Sequence, residues 1–391
     1  MPADSFQDRT PERIDLALGH PGLDLLPLEL LRDSAQHGLD HASPGLLQYG
    51  PEGGSRAFRG VLSGFLQRAG GAPAAPEELL VSGGISQALD LFCTVFTVPG
   101  DLVFVEEPTY FLALRIFADH GLRVRGIPLA QSGLNVRALS DALAEETPVF
   151  FYTVPSYQNP RGTSLSEEER DALVALAREH GFTILADEAY HMLRYEGAEP
   201  APFGEYVDSG RVCALGSFSK ILAPGLRLGW IHSSASIRQR LLQSGLLTSG
   251  GGVAPLTSAL LHRLIAEGSL ESHIAWLREA YRRRRDALVE GLDEIARRQE
   301  VAGRKAIRYD APAGGYFVWV ELPSGSATSL ATAAADYGLS FLPGPHFSPS
   351  GGQDRFLRLS FSYHRPETIG EGVRRLGELL AAEDPTAPAP E

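Results

Sequence analysis

The sequence predicts an α/β protein: a large, doubly wound, mostly parallel sheet of seven strands joined to a smaller α+β unit. Three observations carry that prediction. From about residue 55 to residue 275, short apolar, β-rich runs alternate with amphipathic helical stretches, the order that builds a parallel sheet covered on both faces. Beyond a charged helical stretch near residue 280 the order changes to strands closed by one helix. The chain has 391 residues, 43% of them hydrophobic, which is more than one ordinary domain of about 150 residues uses and leaves room for two units.

Residues 1–27 hold few periodic apolar positions and several prolines, so they read as an extended arm lying over something else; residues 1–40 are assigned to this arm and a segment of the smaller unit. Residues 41–280 are the large unit. Its strands are LLVSG (79–83), LVFVEEP (102–108), RVRGIP (123–128), VFFYTV (149–154), TILADEA (183–189), VCALGSFS (212–219) and LRLGWIH (226–232). Helices fall between them, among them 86–96 and 166–181. In the second, Ser166 is the N-cap, Glu169 stands three positions on, and Gly181 stops the helix. The stretch 279–298 reads as a long connecting helix whose Arg282 to Arg285 run is a solvated face. YFVWVELP (316–323), LSFLPG (339–344), RFLRLSFS (355–362) and a helix over about 366–381 make the smaller unit, 281–381. The Pro- and Ala-rich end, 382–391, is expected to be a disordered tail.

Composition removes several function classes. Lys and Arg total 35 against 48 Asp and Glu, a formal charge of 35 − 48 = −13, which argues against a nucleic-acid binder that must displace counterions with a basic face. Cys93 and Cys213 are the only cysteines and sit in apolar runs, which fits two buried thiols in a reducing compartment better than a disulfide framework. No run approaches the 18 or so apolar residues of a membrane span, and MPADSFQDRTPER holds no apolar signal core, so a cytoplasmic location is expected. HExxH, CxxC and GxSxG are absent, so neither a metal site nor a serine-hydrolase elbow is expected.

The chemistry concentrates at strand ends. The stretch Ser217-Phe218-Ser219-Lys220 puts two hydroxyls and an amine at a strand's carboxyl end, where open α/β sheets bind ligands, and Arg227 follows seven residues on. Hydroxyls and a guanidinium suit a phosphate, and the amine suits Schiff-base chemistry. Asp187, in Ala186-Asp187-Glu188-Ala189-Tyr190, ends another strand 33 residues before Lys220 and could hold a protonated pyridine nitrogen; Tyr190 could reach a phenolate oxygen on the same ring. Asn159, in Gln158-Asn159-Pro160, supplies a neutral donor after yet another strand. In Val81-Ser82-Gly83-Gly84-Ile85-Ser86, a strand turns through two glycines into a helix whose first N–H groups, with the Ser86 hydroxyl, suit a phosphate. Tyr110, in Glu107-Pro108-Thr109-Tyr110, could stack on a planar ring.

Taken singly, each signal also fits a cap, a turn or core packing. Their order, GGxSQAL, EEPTY, QNP, DEAY, SFSKxLxPGLRLGW and RFLRLSFS, resembles the class I/II aminotransferases, over roughly residues 15–375. These are fold-type I pyridoxal 5′-phosphate enzymes, and the pattern is most similar to the α-aminoadipate/kynurenine aminotransferase-like subgroup. The resemblance implies pyridoxal 5′-phosphate as cofactor, Lys220 as the Schiff-base lysine and proton shuttle, Asp187 as the partner of the ring nitrogen, and Tyr110 stacked on the ring. It implies Asn159 and Tyr190 at the ring's phenolic oxygen, and Ile85 (by its backbone), Ser86, Ser217, Ser219 and Arg227 at the phosphate. Arg358 would pair with the substrate α-carboxylate, with Asn159 and the backbone of Gly19 beside it. Tyr49 would reach a neighbouring subunit's phosphate, which implies a homodimer with a shared active site.

Departures from the family pattern fall outside the cofactor set. Arg161 follows Asn159-Pro160 where threonine is usual, Thr248 to Val253 is rich in glycine, Tyr316 stands where methionine is common, and His20 and His191 lie beside functional positions. The resemblance implies transfer of the amino group of an L-amino acid to a 2-oxo acid by a ping-pong mechanism. It leaves open a lyase, replacement or oxygen-using reaction of amino-acid-derived specialised metabolism, since the same residues serve all of these. The sensing module of a transcription regulator is disfavoured, because the matching pattern begins by about residue 15 and leaves no room for a winged helix.

Overall fold

A computed structural model of the chain describes residues 13–131 and 133–383; the expectations for residues 1–12 and for 384–391 of the tail lie outside them. The strands, in chain order, are β1 (Ile14–Asp15), β2 (Leu79–Ser82), β3 (Leu102–Glu107), β4 (Arg123–Pro128), β5 (Phe150–Thr153), β6 (Thr183–Asp187), β7 (Val212–Ser217), β8 (Gly229–Ser233), β9 (Phe317–Glu321), β10 (Leu339–Ser340), β11 (Leu342–Pro343) and β12 (Phe356–Ser360). The large sheet has the order β2-β8-β7-β6-β5-β3-β4, and β8 alone runs against its neighbours. All seven of its strands come from the seven runs read in the sequence.

Alternate residues of the central strands fill two separate cores. Val103, Val105, Phe150, Tyr152, Leu185, Cys213 and Leu215 face one. Phe104, Phe151, Ile184, Ala186, Val212 and Ala214 face the other. Burial on both faces is why these strands read as unbroken apolar runs rather than as alternating ones. The helix Glu167–His180 starts as expected: the Ser166 hydroxyl accepts from the Glu169 N–H at 3.2 Å, and the Glu169 carboxylate accepts from the Ser166 N–H at 2.8 Å.

Three expectations are corrected. LSFLPG is not one strand. Leu339–Ser340 pairs in parallel with Ile14–Asp15, while Leu342–Pro343 pairs antiparallel with Leu357 and Arg358 in a three-stranded sheet, β11-β12-β9. The arm adds its own strand there, so one short run serves two sheets. The connecting helix is longer than the sequence suggested, Ser269–Val301, and runs unbroken through residue 280. Its arginine run is only half solvated: Arg282 and Arg283 pair with Glu279 at the surface, but Arg284 and Arg285 are buried and bonded to Asp24, Glu196 and backbone carbonyls. Among the described residues no helix is long and apolar enough to cross a membrane.

Candidate active site

Strands β2, β3, β5, β6 and β7 all point the same way, and their carboxyl ends deliver Ser86, Tyr110, Asn159, Asp187 and the Ser217–Lys220 segment to one edge of the sheet. There they line a cavity of about 510 Å³ together with Gly19, Ile85, Tyr190, Arg227 and Arg358. Residues far apart in sequence thus meet because the strands that carry them are neighbours.

Asp187 ends β6. Its carboxylate accepts from the Tyr152 hydroxyl at 2.8 Å and the Ala189 N–H at 3.1 Å. Tyr152 lies opposite Leu185 in the parallel β5–β6 register, so Asp187, two residues on, shares its face. Burial pushes the Asp187 carboxyl up to about 6, opposed by those two donors and by the charge of Lys220. Lys220 sits in the turn after β7. Burial pushes its amine down to about 8, against the opposing pull of Asp187. Its Nζ donates to the Gly19 carbonyl of the arm at 2.6 Å. The chain contains just two lysines, and the other, Lys305, is exposed.

Opposite the arm is an end built for an anion. The Ser217 hydroxyl donates to Ser219 Oγ at 2.9 Å, and the Ser219 N–H donates to Ser217 Oγ at 3.0 Å. Arg227 holds φ +46°, a left-handed conformation that residues with a Cβ rarely keep unless the surroundings fix it, and its guanidinium donates to the Gly83 and Pro224 carbonyls. Gly84, at φ +89°, caps the helix Ile85–Phe96; a Cβ there would lie 3.1 Å from Arg227 Nη2. This glycine lets the guanidinium and the first helical turn approach each other.

Arg358, on β12, is buried, and desolvation lowers it to about 10, so it remains a cation at neutral pH. Nη1 donates to Asn159 Oδ1 at 2.9 Å and Nη2 to the Ala17 carbonyl at 2.7 Å, while the guanidinium lies 4.0 Å from the Phe317 ring centre. At Gly19 a Cβ would come within 2.9 Å of Phe317 Cζ, so only glycine lets the arm pass this close.

Sequence reasoning missed several supports. Tyr152 orients Asp187. Glu106, fully buried on β3, accepts from the Thr153 hydroxyl, from the Val154 N–H at 3.1 Å and from the Gln158 amide at 3.0 Å, and so fixes the loop that carries Asn159. A polar residue amid an apolar strand (FFYT, VFVEE) was the available signal for both. Tyr49 is not brought into this cavity: it is 83% exposed and lines a separate surface groove with Gly252 and Val253. Arg161 turns outward to the Ala130 and Gln131 carbonyls, and His191 bonds Ser156 and the Gly70 carbonyl. Tyr110 lines the cavity, with its hydroxyl pushed up to about 12 by burial.

A desolvated amine, a buried carboxylate held by fixed donors, a hydroxyl-and-guanidinium end and a second buried guanidinium together fit pyridoxal 5′-phosphate and an amino acid. This fold and this donor set define a fold-type I pyridoxal 5′-phosphate enzyme. The sequence profile of the aminotransferase class I and II family matches residues 12–376, and the chain belongs to that family. It is 33% identical to aromatic-amino-acid aminotransferase 1 of Thermococcus litoralis over 96% of this chain and 89% of that protein. It is 35% identical to the 2-aminoadipate transaminase of Thermus thermophilus over 95% of this chain and 90% of that protein. The structure of the Pyrococcus horikoshii kynurenine aminotransferase in complex with PMP superposes with a TM-score of 0.87 at 31% identity, covering 98% of this chain and 97% of that one. The chain is a pyridoxal 5′-phosphate-dependent aminotransferase; the lyase, replacement and oxygen-using outcomes gain no support from these relatives.

Proposed function

We propose that the residues around the cavity divide the work of amino transfer by position. Lys220 is the catalytic amine, and the observation that carries this is its isolation: the one lysine of the chain that lines the cavity, its amine desolvated beside Asp187 and capped by the Gly19 carbonyl. When bound, the cofactor supplies an electrophilic carbonyl carbon and an electron-withdrawing ring. Asp187, fixed by Tyr152 and Ala189, holds the proton of the ring nitrogen. Ser217, Ser219, Ser86, Arg227 and the Ile85 N–H hold the phosphate, Asn159 and Tyr190 the phenolic oxygen, and Tyr110 packs on the ring. Arg358 binds the substrate α-carboxylate in a two-pronged fashion that a lysine could not match. An amine near 8 is partly neutral at physiological pH, so Nζ can accept the α-proton and return it.

Residues 41–280 carry the cofactor-holding groups, and residues 13–40 and 281–381 supply the Gly19 and Arg358 that border them. Leu18, Phe111, Leu112, Phe317 and Leu342 add apolar side chains to the cavity lining, which favours donors with apolar or aromatic side chains, in keeping with the aromatic-amino-acid relative. We also place the active unit as a homodimer in the cytoplasm. Leu46 and Tyr49 (83% exposed) line an apolar groove of about 450 Å³, the kind of patch a second copy covers, and both cysteines are buried free thiols. Lys220→Ala should cut turnover at least ~1000-fold while the protein stays folded; near-normal activity would overturn the assignment.

A further inference from the structure

We propose that Tyr316 is a positioning residue for Lys220, holding the backbone of the reactive lysine from the smaller unit through its own phenol hydroxyl. Tyr316 immediately precedes β9 and is wholly buried; its hydroxyl donates to the Lys220 carbonyl at 3.1 Å. Tyr281, wholly buried on the long helix, lies 2.8 Å away, hydroxyl to hydroxyl. Each phenol has one hydrogen. Tyr316 uses its own on Lys220, so Tyr281 must donate to Tyr316, and the chain runs Tyr281 to Tyr316 to Lys220. Lys220 lies in a turn, outside any helix or strand ladder, so its carbonyl depends on a side-chain donor. The same Tyr316 ring lies 5.5 Å from Nζ and the Tyr190 ring 6.0 Å from it, the two ring centres being 5.3 Å apart. One residue therefore grips the carbonyl of Lys220 and lines the space its amine occupies.

This inference rests on Lys220 being the amine that joins the cofactor, and the experiment separates the two. Tyr281→Phe removes one hydrogen bond and Tyr316→Phe removes two, so the thermal midpoint should fall in both variants and further in Tyr316→Phe. Only Tyr316→Phe releases Lys220. On the holoenzymes, Tyr316→Phe should lower kcat about tenfold, the size of one buried hydrogen bond, with KM within about twofold, and Tyr281→Phe should leave kcat within about twofold. On full chains stripped of cofactor and resupplied with pyridoxal 5′-phosphate, borohydride trapping and peptide mass should show Lys220 labelled about tenfold more slowly in Tyr316→Phe than in Tyr281→Phe. Equal kinetics in the two variants, or wild-type kinetics in Tyr316→Phe, overturn the positioning role. Label on Lys305 in the wild-type protein overturns the underlying assignment of Lys220 instead. Should Tyr316→Phe fail to fold, Tyr316→Met, whose flexible side chain fills similar space, is read the same way.

Discussion

At Lys220, burial and charge act in opposite directions, and burial wins. Desolvation disfavours the ammonium, Asp187 favours it, and Arg358 and Arg227 add a smaller disfavouring push, which leaves the amine near 8. The sign is definite: only the neutral amine is a nucleophile, so below 8 most of the protein is held in the unreactive form. The rate at which the cofactor-free full chain captures pyridoxal 5′-phosphate should therefore rise with pH to a plateau, with a midpoint near 8. A rate still climbing above pH ~10, as for an ordinary lysine, would show that the amine is not desolvated. Glu106 shows a similar competition: burial raises its carboxyl, and three neutral donors, from Thr153, Gln158 and Val154, act against that rise. Gln158 is oriented unambiguously, because its Oε1 accepts the Arg161 N–H at 2.8 Å and its amide nitrogen therefore faces Glu106 and the Pro108 carbonyl.

The arm is the element whose placement the site depends on most. It is tied at both ends. Ile14–Asp15 adds a strand to Leu339–Ser340, and the Ser362 hydroxyl donates to the His20 carbonyl at 2.9 Å. Beyond the turn, Asp24 accepts both bonds of the buried Arg284 Nη2 at 2.9 Å, while Arg284 Nη1 reaches the Ser362 carbonyl at 2.6 Å. Between these anchors the Ala17 and Gly19 carbonyls meet Arg358 and Lys220. Asp24→Ala leaves a guanidinium buried without its counter-charge, at a cost of about 3 kcal/mol. Amide hydrogen exchange should then quicken over residues 16–22 while the β7 amides, inside the large sheet, keep their protection. Unchanged exchange in the arm would mean that its other anchors hold it without the Asp24–Arg284 pair.

At the scale of the whole molecule, the position of Tyr49 is informative because it is outside its own chain's cavity. If its hydroxyl serves a partner's phosphate end, two defective chains can repair each other. A dimer of one Lys220→Ala chain and one Tyr49→Ala chain has one site with both defects and one with neither. Mixing the two inactive proteins under exchange conditions should recover up to about a quarter of wild-type activity. No recovery, with dimers demonstrated by light scattering, would place both residues in one chain's site.

Much of this was legible in the chain itself. Seven apolar runs became the seven strands of the large sheet because burial on both faces demands continuous apolar sequence. Ser166, Glu169 and Gly181 marked a helix because capping is local chemistry. Lys220, Asp187 and Asn159 stood out because strand ends are where a parallel sheet leaves polar groups free to act, whereas Arg358, in the middle of an antiparallel strand, was reached only through the family resemblance. Pairings between distant segments were not legible. Nothing in LSFLPG says that the arm will take its first two residues, nothing in RRRR says that its third and fourth arginines turn inward, and nothing near Lys220 names Tyr316, 96 residues away, as its partner. Periodicity, caps and turns are written into neighbouring residues, whereas a contact between distant residues exists only once the chain has closed around its cores, and so tertiary structure alone decided which groups support the reacting ones.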